Sequence, residues 1–225
     1  MKKLFTLYLF SLTLVVQAQD NTFSSNVDSD PEATKILNVL QERFNQAGSA
    51  IYDFSLDMEF PGQAIETQNG TLRQKGDRFV FSMGDQEIYS DTETVWMYDK
   101  AMNIVQIHDA DFGADGSFMS PSEFINIYNS KDYSYAITNE WYEGAELFRQ
   151  IDFKPLDSDS EYFKIRLELT GKKNDINSIK VFSKDGSRYV LKINDINIEE
   201  KLSDDFFVFN VEAYKDIQIE NLRID

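Results

Sequence analysis

Apolar and polar residues alternate along most of this chain in short runs that turn-forming residues interrupt. The pattern is clearest in residues 70–108, where Gly, Asp and Lys clusters separate runs rich in Phe, Val, Ile, Tyr and Trp. Such spacing is typical of antiparallel strands joined by tight turns and predicts a meander of about five strands. Because successive side chains of a strand point to opposite faces, Phe79 and Phe81 share a face that Val80 does not. The meander therefore has one apolar face and one more polar face.

The same alternation extends to both sides of the meander. Residues 51–60 alternate strictly and place five apolar side chains on one face: Tyr52, Phe54, Leu56, Met58 and Phe60. Pro61-Gly62 ends that strand, and residues 66–75 are expected to return antiparallel to it. Asp185-Gly186 is a favoured hairpin turn between two of the later strands. Those later strands are predicted at residues 133–137, 145–154, 163–170, 178–184, 188–193 and 206–211.

Two stretches have helical signals instead. Asp30 can cap a helix whose first position is Pro31, and Gly48 can end it. Apolar residues at spacings of three and four form one stripe along this helix: Ala33, Ile36, Leu37, Leu40, Phe44 and Ala47. A second, shorter helix is expected from the capping box that begins at Ser120-Pro121.

These elements predict an α+β fold that is mainly β. We expect a strongly curved antiparallel sheet of about eleven strands, an open or incomplete β-barrel, with helices covering its concave apolar face. The chain contains 18 Phe, 11 Tyr and 2 Trp. Large aromatic side chains inside a barrel either fill it as a core or line an apolar cavity, and the sequence pattern allows both.

Residues 1–18 have the features of a secretory signal peptide: two lysines, an apolar run and a Val16-Gln17-Ala18 cleavage site. Residues 19–29 are polar and are expected to form a flexible tether. Residues 30–225 then form one domain, since they contain neither fixed-period repeats nor a long linker. The mature protein is expected to be exported and soluble.

The chain has 39 acidic and 22 basic residues, a net charge of −17, and no cysteine. Such a charge repels nucleic acid and anionic lipid, so neither is an expected partner. The acidic surface is either merely solvated or a docking surface for a basic partner. Without cysteine the protein can form no disulfide, and it cannot be acylated at an N-terminal cysteine.

Few residues offer catalytic chemistry. His108 is the single histidine, so neither a Ser-His-Asp triad nor a multi-histidine zinc site is expected. Asp109, Asp111 and Asp115 resemble a calcium loop faintly, but its sixth position is Ala114, not glycine. Carboxylates are too numerous for any pair to be informative. We expect no catalytic residue, no metal and no cofactor.

Several short motifs occur in an order that resembles the LolA family of periplasmic lipoprotein carriers. The resemblance covers residues 30–219. The residues that carry it are Gly70-Thr71-Leu72, Lys75, Phe79, Phe81, the segment from Ser90 to Asp99 with Trp96 and Tyr98, Ser120-Pro121, Phe153-Lys154-Pro155, Lys184-Asp185-Gly186, Phe207 and Phe209.

The resemblance implies a non-enzymatic periplasmic chaperone that binds the acyl chains of lipoproteins and delivers them from the inner to the outer membrane. Its expected partners are acylated lipoproteins, an ATP-driven inner-membrane transporter and an outer-membrane acceptor, and it is expected to be monomeric. The expected acyl-binding cavity comprises Phe54, Leu56, Met58, Phe79, Phe81, Trp96, Tyr98, Ile165, Leu167, Val181 and Leu191. The expected lid residues are Ile36, Leu40, Phe44, Phe124 and Ile127.

The chain departs from the family pattern at one turn. The family has Lys-Arg-Pro there, and this chain has Lys75-Gly76-Asp77. The family's turn Arg is implicated in holding and handing over cargo. Arg73, Lys75 and Arg78 are the basic residues that remain as candidate contacts for cargo or a partner.

Two other functions are compatible with the same fold. A regulatory module would sense lipid or lipoprotein under envelope stress and transmit a signal to a partner. A periplasmic hydrolase would need a pair of carboxylates facing the cleft.

Overall fold

The computed structural model describes residues 29–46, 48–109, 127–129, 132–197 and 201–223. Within them, one α-helix and twelve strands form an α+β fold that is mainly β. Helix α1 spans Pro31–Gln46. The strands are β1 Ala50–Glu59, β2 Glu66–Lys75, β3 Arg78–Met83, β4 Gln86–Ser90, β5 Thr94–Asp99, β6 Ile104–Asp109, β7 Tyr133–Glu143, β8 Glu146–Pro155, β9 Tyr162–Thr170, β10 Asp175–Ser183, β11 Arg188–Asn197 and β12 Gln218–Asn221.

All twelve strands belong to one sheet, in the order β12-β6-β5-β4-β3-β2-β1-β11-β10-β9-β8-β7. Every neighbouring pair is antiparallel except β12 and β6, which are parallel. The two edge strands, β12 and β7, do not pair, so the curved sheet stays open. The predicted open barrel is confirmed, with twelve described strands where the sequence indicated about eleven.

Helix α1 begins where the sequence predicts. An Asp30 carboxylate oxygen, Oδ1, accepts a hydrogen bond from the backbone N–H of Glu32 at 2.8 Å and so caps the helix. Ala33 and Leu37 are buried against the sheet. The second predicted helix, from Ser120, lies outside the described residues. The described part of that region is a 3-10 turn at Ile127–Asn129.

The largest hydrophobic cluster lies between α1 and strands β7 to β10. We call it the helix-covered cluster. Its buried members are Ala33, Leu37, Tyr128, Tyr135, Ile151, Phe153, Ile165, Leu167 and Leu169.

A smaller cluster lies further along the sheet, on β2 to β5. Its buried members are Phe79, Ile88 and Val95, and half-buried Leu72, Phe81 and Met97 pack against them. We call it the meander cluster. Cross-strand pairing links the two clusters through β1 and β11, since Leu56 pairs with Leu191 and Leu191 pairs with Ile179. Paired residues point to the same side of a sheet, so both clusters lie on the face that α1 covers in part.

The end of the chain folds differently from the prediction. A strand was expected at residues 206–211, but these residues lie in and between two 3-10 turns, Asp204–Phe207 and Val211–Ala213. Phe207 and Phe209 are both buried. Their alternation therefore comes from a segment that crosses the sheet, and not from a strand that joins it. Strand β12 was not predicted, because four residues containing one apolar side chain give too weak a pattern.

No helix in the described part of the chain is both long enough and apolar enough to span a membrane.

Candidate functional site

The face of the sheet against which α1 packs, which we call the helix face, is the candidate site. Cross-strand register places nine of the eleven predicted cavity residues on it. They are Phe54, Leu56, Met58, Phe79, Phe81, Ile165, Leu167, Val181 and Leu191.

These nine residues differ in accessibility. Ile165 and Leu167 are 3% and 2% exposed, because α1 covers them, and they belong to the helix-covered cluster. Phe54 and Phe79 are also buried. The remaining five are half-buried and form the accessible part of the face: Leu56, Met58, Phe81, Val181 and Leu191.

Register adds residues that the sequence analysis missed. Leu72 pairs with Phe81, Phe81 pairs with Ile88, and Ile88 pairs with Met97, so the four side chains form one row across β2 to β5. Leu72 and Met97 are half-buried in this row. Counting outward from the turn at residues 91–93, which places Val95 opposite Ser90, would have found Met97.

Trp96 and Tyr98 were predicted to line the cavity, and the register corrects this. Trp96 pairs with Tyr89, and Tyr98 pairs with Glu87, on the face opposite the helix face. Both belong to a third cluster, in which the Tyr98 ring lies 5.2 Å from that of Phe209. The sequence analysis chose the two aromatic residues of β5 as cavity residues. In the structure the side chains of Val95 and Met97, which alternate with them along the strand, lie on the helix face.

One aromatic pair bridges the middle of the helix face. The rings of Phe54 on β1 and Phe81 on β3 stack with centroids 5.3 Å apart at 18°. They stack across Gly70 of the intervening strand β2, which pairs with Phe54. The absence of a side chain at Gly70 therefore allows a continuous apolar surface between β1 and β3.

Polar contacts hold α1 at its N-terminal end. The backbone N–H of Asp30 donates to the carbonyl of Tyr135 at 2.9 Å, and the backbone N–H of Ile137 donates to Asp30 Oδ2 at 3.2 Å. The hydroxyls of Thr34 and Tyr135 also lie 2.9 Å apart. These contacts fix the start of the helix on β7.

The C-terminal end of α1 is held more weakly. Arg43 forms an ion pair with Asp175 and donates to the backbone carbonyl of Lys173, and the side chains of Arg43 and Asp175 are 43% and 44% exposed. An exposed pair of this kind contributes at most about 1 kcal/mol. Nearer the middle of the helix, the Tyr128 hydroxyl lies 2.8 Å from Asn38 Oδ1 and 2.6 Å from Gln41 Oε1. Helix α1 is therefore anchored through backbone hydrogen bonds at its start, whereas beyond Gln41 the exposed side chain of Arg43 makes the polar contacts and holds it more loosely.

The predicted lid residues follow this division. Ile36 and Leu40 pack against the helix-covered cluster. Phe44, at the loosely held end, lines a small recess together with Ala50, Tyr52, Gln74 and Gly76. Phe124 lies outside the described residues, as does the side chain of Ile127.

Burial in this recess raises the pKa of the Tyr52 hydroxyl. The positive charge of the nearby Arg43 guanidinium opposes that rise. The side chain of Gln74 donates through Nε2 to the carbonyl of Gly76 at 2.8 Å. Its Oε1 is buried without a hydrogen-bond partner. The recess therefore combines aromatic walls with one unsatisfied acceptor.

Arg73, Lys75 and Arg78 lie at or near the Lys75-Gly76-Asp77 turn, where this chain differs from the family pattern. All three contact the C-terminal segment, residues 201–217. Lys75 Nζ lies 2.6 Å from Asp204 Oδ1, and an Arg78 nitrogen lies 3.5 Å from the same oxygen. The Arg73 guanidinium lies 6.0 Å from the centroid of the Phe206 ring. In the structure these three cations attach the C-terminal segment to the sheet, and they do not reach the helix face.

These ion pairs affect titration. The hydrogen bond from Lys75, followed by the charges of Arg78 and Lys75, lowers the pKa of the Asp204 carboxyl. Burial lowers the pKa of the His108 imidazole, while the Asp109 carboxylate opposes that shift. Among the residues that the structure describes, no group of three His, Asp or Glu side chains is arranged to hold a metal ion.

An open antiparallel sheet with an accessible apolar face beside a loosely held helix defines the class of open-barrel proteins that can hold apolar groups. The family model for the outer membrane lipoprotein carrier protein LolA matches residues 54–210. This chain belongs to that family.

Individual proteins are similar to this chain over most of its length. An outer-membrane lipoprotein carrier protein from Idiomarina loihiensis is 24% identical over 217 residues, which cover 91% of this chain and 94% of the relative. The crystal structure of an uncharacterized conserved protein from Thermus thermophilus superposes with a TM-score of 0.56 at 12% identity, covering 84% of this chain and 99% of that one. A LolA superfamily protein from Nitrosomonas europaea gives a TM-score of 0.41 at 13% identity, covering 79% and 97%. The likeness to the Thermus protein is a likeness of fold.

Proposed function

We propose that the mature chain is a periplasmic carrier that binds the acyl chains of lipoproteins released from the inner membrane and delivers them to the outer membrane. Membership of the LolA family and the carrier relative in Idiomarina loihiensis support this proposal. The observation that carries it is the half-buried apolar surface on the helix face, which includes Leu56, Leu72, Phe81, Met97 and Leu191.

Physical chemistry makes such a surface useful. Each acyl CH₂ group transferred out of water contributes about 0.8 kcal/mol, so a chain of about 15 such groups contributes roughly 12 kcal/mol. An acylated protein would therefore leave a membrane for an aqueous compartment very slowly, because its acyl chains would be exposed to water. A carrier that covers the chains removes that barrier, and release then requires direct transfer between binding surfaces.

Helix α1 supplies the movable cover in this proposal. Its N-terminal end is fixed to β7 through Asp30 and Thr34. Its C-terminal end is held by the exposed side chain of Arg43, which pairs with Asp175 and donates to the backbone carbonyl of Lys173. Acyl chains enter when the end near Phe44 tilts away from β1 and β2, and they lie between the helix and the meander cluster.

The proposed cellular pathway follows from the same function. Residues 1–18 direct export and are removed, residues 19–29 form a tether, and the domain from residue 30 works in the periplasm. An ATP-driven inner-membrane transporter loads the carrier, and an outer-membrane acceptor empties it. The cargo is acylated lipoprotein, and the chemistry needs neither a catalytic residue nor a cofactor.

Two methionines provide a matched test of the acyl-binding surface. Met97 is half-buried in the meander cluster, whereas Met102, in the next turn, is 65% exposed. Met97→Asp should weaken binding of a fluorescent palmitoyl probe by at least about tenfold, because a charge would replace an apolar contact. Met102→Asp should leave binding unchanged. Equal effects of the two substitutions would contradict the assignment of the helix face.

A second measurement tests the nature of the cargo. Native mass spectrometry of the mature chain, purified from a periplasm without detergent, should show a complex with an acylated lipoprotein. That complex should be lost in Met97→Asp and kept in Met102→Asp. A chain that binds the palmitoyl probe but takes up no lipoprotein from transporter-containing membranes would refute the carrier function while leaving the lipid-binding face intact.

A further inference from the structure

A neutral hydrogen-bonding side chain lies at one end of the apolar helix face. Gln74 on β2 is 4% exposed, and it pairs with Ala50 on one side and with Phe79 on the other. One step along the same face, Tyr52 pairs with Leu72, which begins the apolar row across β2 to β5. Gln74 is therefore placed beside the surface on which acyl chains are proposed to bind.

The orientation of the Gln74 amide is fixed by the adjacent turn. Its Nε2 donates to the carbonyl of Gly76 at 2.8 Å. The reverse orientation would place Oε1 against that carbonyl oxygen, and two acceptors repel each other. Oε1 is therefore left buried without a hydrogen-bond partner. A buried acceptor of this kind costs free energy until a donor reaches it.

The recess that Gln74 lines also offers a donor. Its lining residues are Phe44, Ala50, Tyr52, Gln74 and Gly76. The half-buried Tyr52 hydroxyl forms no hydrogen bond with another described residue, and its raised pKa keeps it protonated. The recess thus presents one O–H donor and one carbonyl acceptor that are not bonded to each other. A ligand group that carries one acceptor and one donor would complement them.

The charges near the recess favour a neutral ligand group. The Arg43 guanidinium is close enough to act on the Tyr52 hydroxyl, so it would repel an ammonium group. A carboxylate would place one of its oxygens against the acceptor of Gln74 and leave that acceptor unpaired. A secondary amide carries an N–H and a C=O without net charge. An ester carries the C=O alone.

The end of α1 controls access to the recess. In the structure the recess is narrow, with room for a group of about the size of a water molecule. Phe44 forms one wall, and it belongs to the loosely held end of the helix. Tilting of that end, by which acyl chains enter in the proposed function, also widens the recess.

We propose that Gln74 and Tyr52 form a subsite for the secondary amide that joins an acyl chain to a polypeptide. The amide N–H donates to Gln74 Oε1, its carbonyl accepts from the Tyr52 hydroxyl, and the acyl chain continues over the apolar row that begins at Leu72. The inference rests on the proposed function, because it names the part of the cargo that the helix face recognises. Since an ester-linked chain leaves the buried acceptor unpaired, the subsite makes the protein prefer N-acylated cargo to ester-linked lipid.

Two ligands that differ at one position test the subsite. They are N-lauroylglycine methyl ester and methyl lauroyloxyacetate, in which an ester oxygen replaces the amide N–H. Each competes with the fluorescent palmitoyl probe for the mature wild-type chain. We expect the amide to bind at least about fivefold more tightly than the ester, because only the amide supplies a donor to Gln74.

Substitutions separate the two hydrogen bonds. Gln74→Met keeps the length of the side chain but removes the acceptor, and it should reduce the preference for the amide to less than about twofold. Tyr52→Phe removes the donor to a carbonyl that both ligands possess, so it should weaken both and leave the preference unchanged. Gln86→Met is the control, since Gln86 is exposed and pairs with Met83 on the same face, outside the recess. It should not alter the preference.

The inference is overturned if the wild-type chain binds the amide and the ester equally, as it would if Gln74 Oε1 bonded only to water. It is also overturned if Gln86→Met reduces the preference as much as Gln74→Met does. In both cases binding of the palmitoyl probe would still support the acyl-binding face. Failure of the wild-type chain to bind the probe and both ligands would refute the carrier function together with the subsite.

Circular dichroism checks that each variant is folded. A loss of stability in Gln74→Met would lower the apparent affinities for both ligands by the same factor. The ratio of the two affinities therefore reports the hydrogen bond to Gln74 and not the folded fraction.

Discussion

The ring of Phe54 occupies the space that a side chain on Gly70 would need. A Cβ atom built on Gly70 would lie 2.3 Å from Phe54 Cζ and 2.7 Å from the carbonyl oxygen of Ser82. Real Cβ atoms do not approach other atoms so closely, and one of these neighbours is backbone that cannot swing away. Gly70 is therefore required for Phe54 to lie across β2 and stack on Phe81.

This relationship predicts that Gly70→Ala destabilises the protein by about 1–3 kcal/mol through overpacking, as measured by urea unfolding. Gly48→Ala is the control, since a Cβ there would meet nothing within 4 Å. It should change the free energy of unfolding by less than about 0.5 kcal/mol. Adding Phe54→Leu to Gly70→Ala should recover part of the loss, and an additive further loss would contradict the steric explanation.

The C-terminal segment is predicted to stabilise the fold without affecting the helix face. Phe209 is 4% exposed and contacts Tyr89, Tyr98 and Tyr214, with ring centroids between 4.9 Å and 5.3 Å apart. Phe209→Ala should cost about 3–5 kcal/mol of unfolding free energy. Phe206→Ala, at a ring that is 38% exposed, should cost clearly less.

The folded fraction of Phe209→Ala should bind the palmitoyl probe with unchanged affinity, because the cluster lies on the opposite face of the sheet. Weaker probe binding by folded Phe209→Ala would show instead that the two faces are coupled.

Acid should weaken the attachment of the C-terminal segment. The pKa of Asp204 is lowered in the folded state, first by the hydrogen bond from Lys75. The carboxylate therefore contributes stability at pH values above its unfolded pKa, about 3.9, and this contribution is lost as the pH falls through the folded pKa. Between pH 7 and pH 3, thermal unfolding of Asp204→Asn should depend less on pH than that of the wild type. Parallel curves for the two proteins would exclude this ion pair as a source of acid sensitivity.

His108 should introduce a second dependence on pH at a higher range. Burial lowers its pKa in the folded state, so the unfolded chain binds the proton more readily. The free energy of unfolding therefore decreases as the pH falls from about 6.5, the unfolded pKa, toward the folded pKa, and raising the pH restores it. Because the chain has one histidine, its imidazole resonance can be followed directly by proton NMR. The measured pKa should lie below about 6.5, and His108→Gln should abolish the stability change in that range.

The loosely held end of α1 should control the rate of acyl binding. Arg43→Ala removes the exposed pair with Asp175 and the hydrogen bond to the Lys173 carbonyl, and it should increase the association rate of the palmitoyl probe by about fivefold, the equivalent of about 1 kcal/mol. Thr34→Val removes a contact at the fixed end and should lower stability without a comparable increase in that rate. Identical kinetics in wild type and Arg43→Ala would mean that this end of the helix does not need to move.

Alternation of apolar residues, turn chemistry and helix caps are local properties, so the sequence by itself determined α1 and the strands from β1 to β11, but not the elements at the C-terminal end. It predicted β2 to the residue and α1 from its Asp30 cap, because each rests on interactions between near neighbours in the chain. Order and spacing of short motifs also indicated the family.

Only the tertiary structure decided which strand faces point toward α1. An offset of one residue moves a side chain to the other face, and so Met97 lies on the helix face while Trp96 and Tyr98 do not. The same holds for the C-terminal segment, where Phe207 and Phe209 alternate like a strand but pack as a crossing segment. The partners of Lys75 and Arg78 lie more than a hundred residues away at Asp204, and no local pattern encodes such a contact.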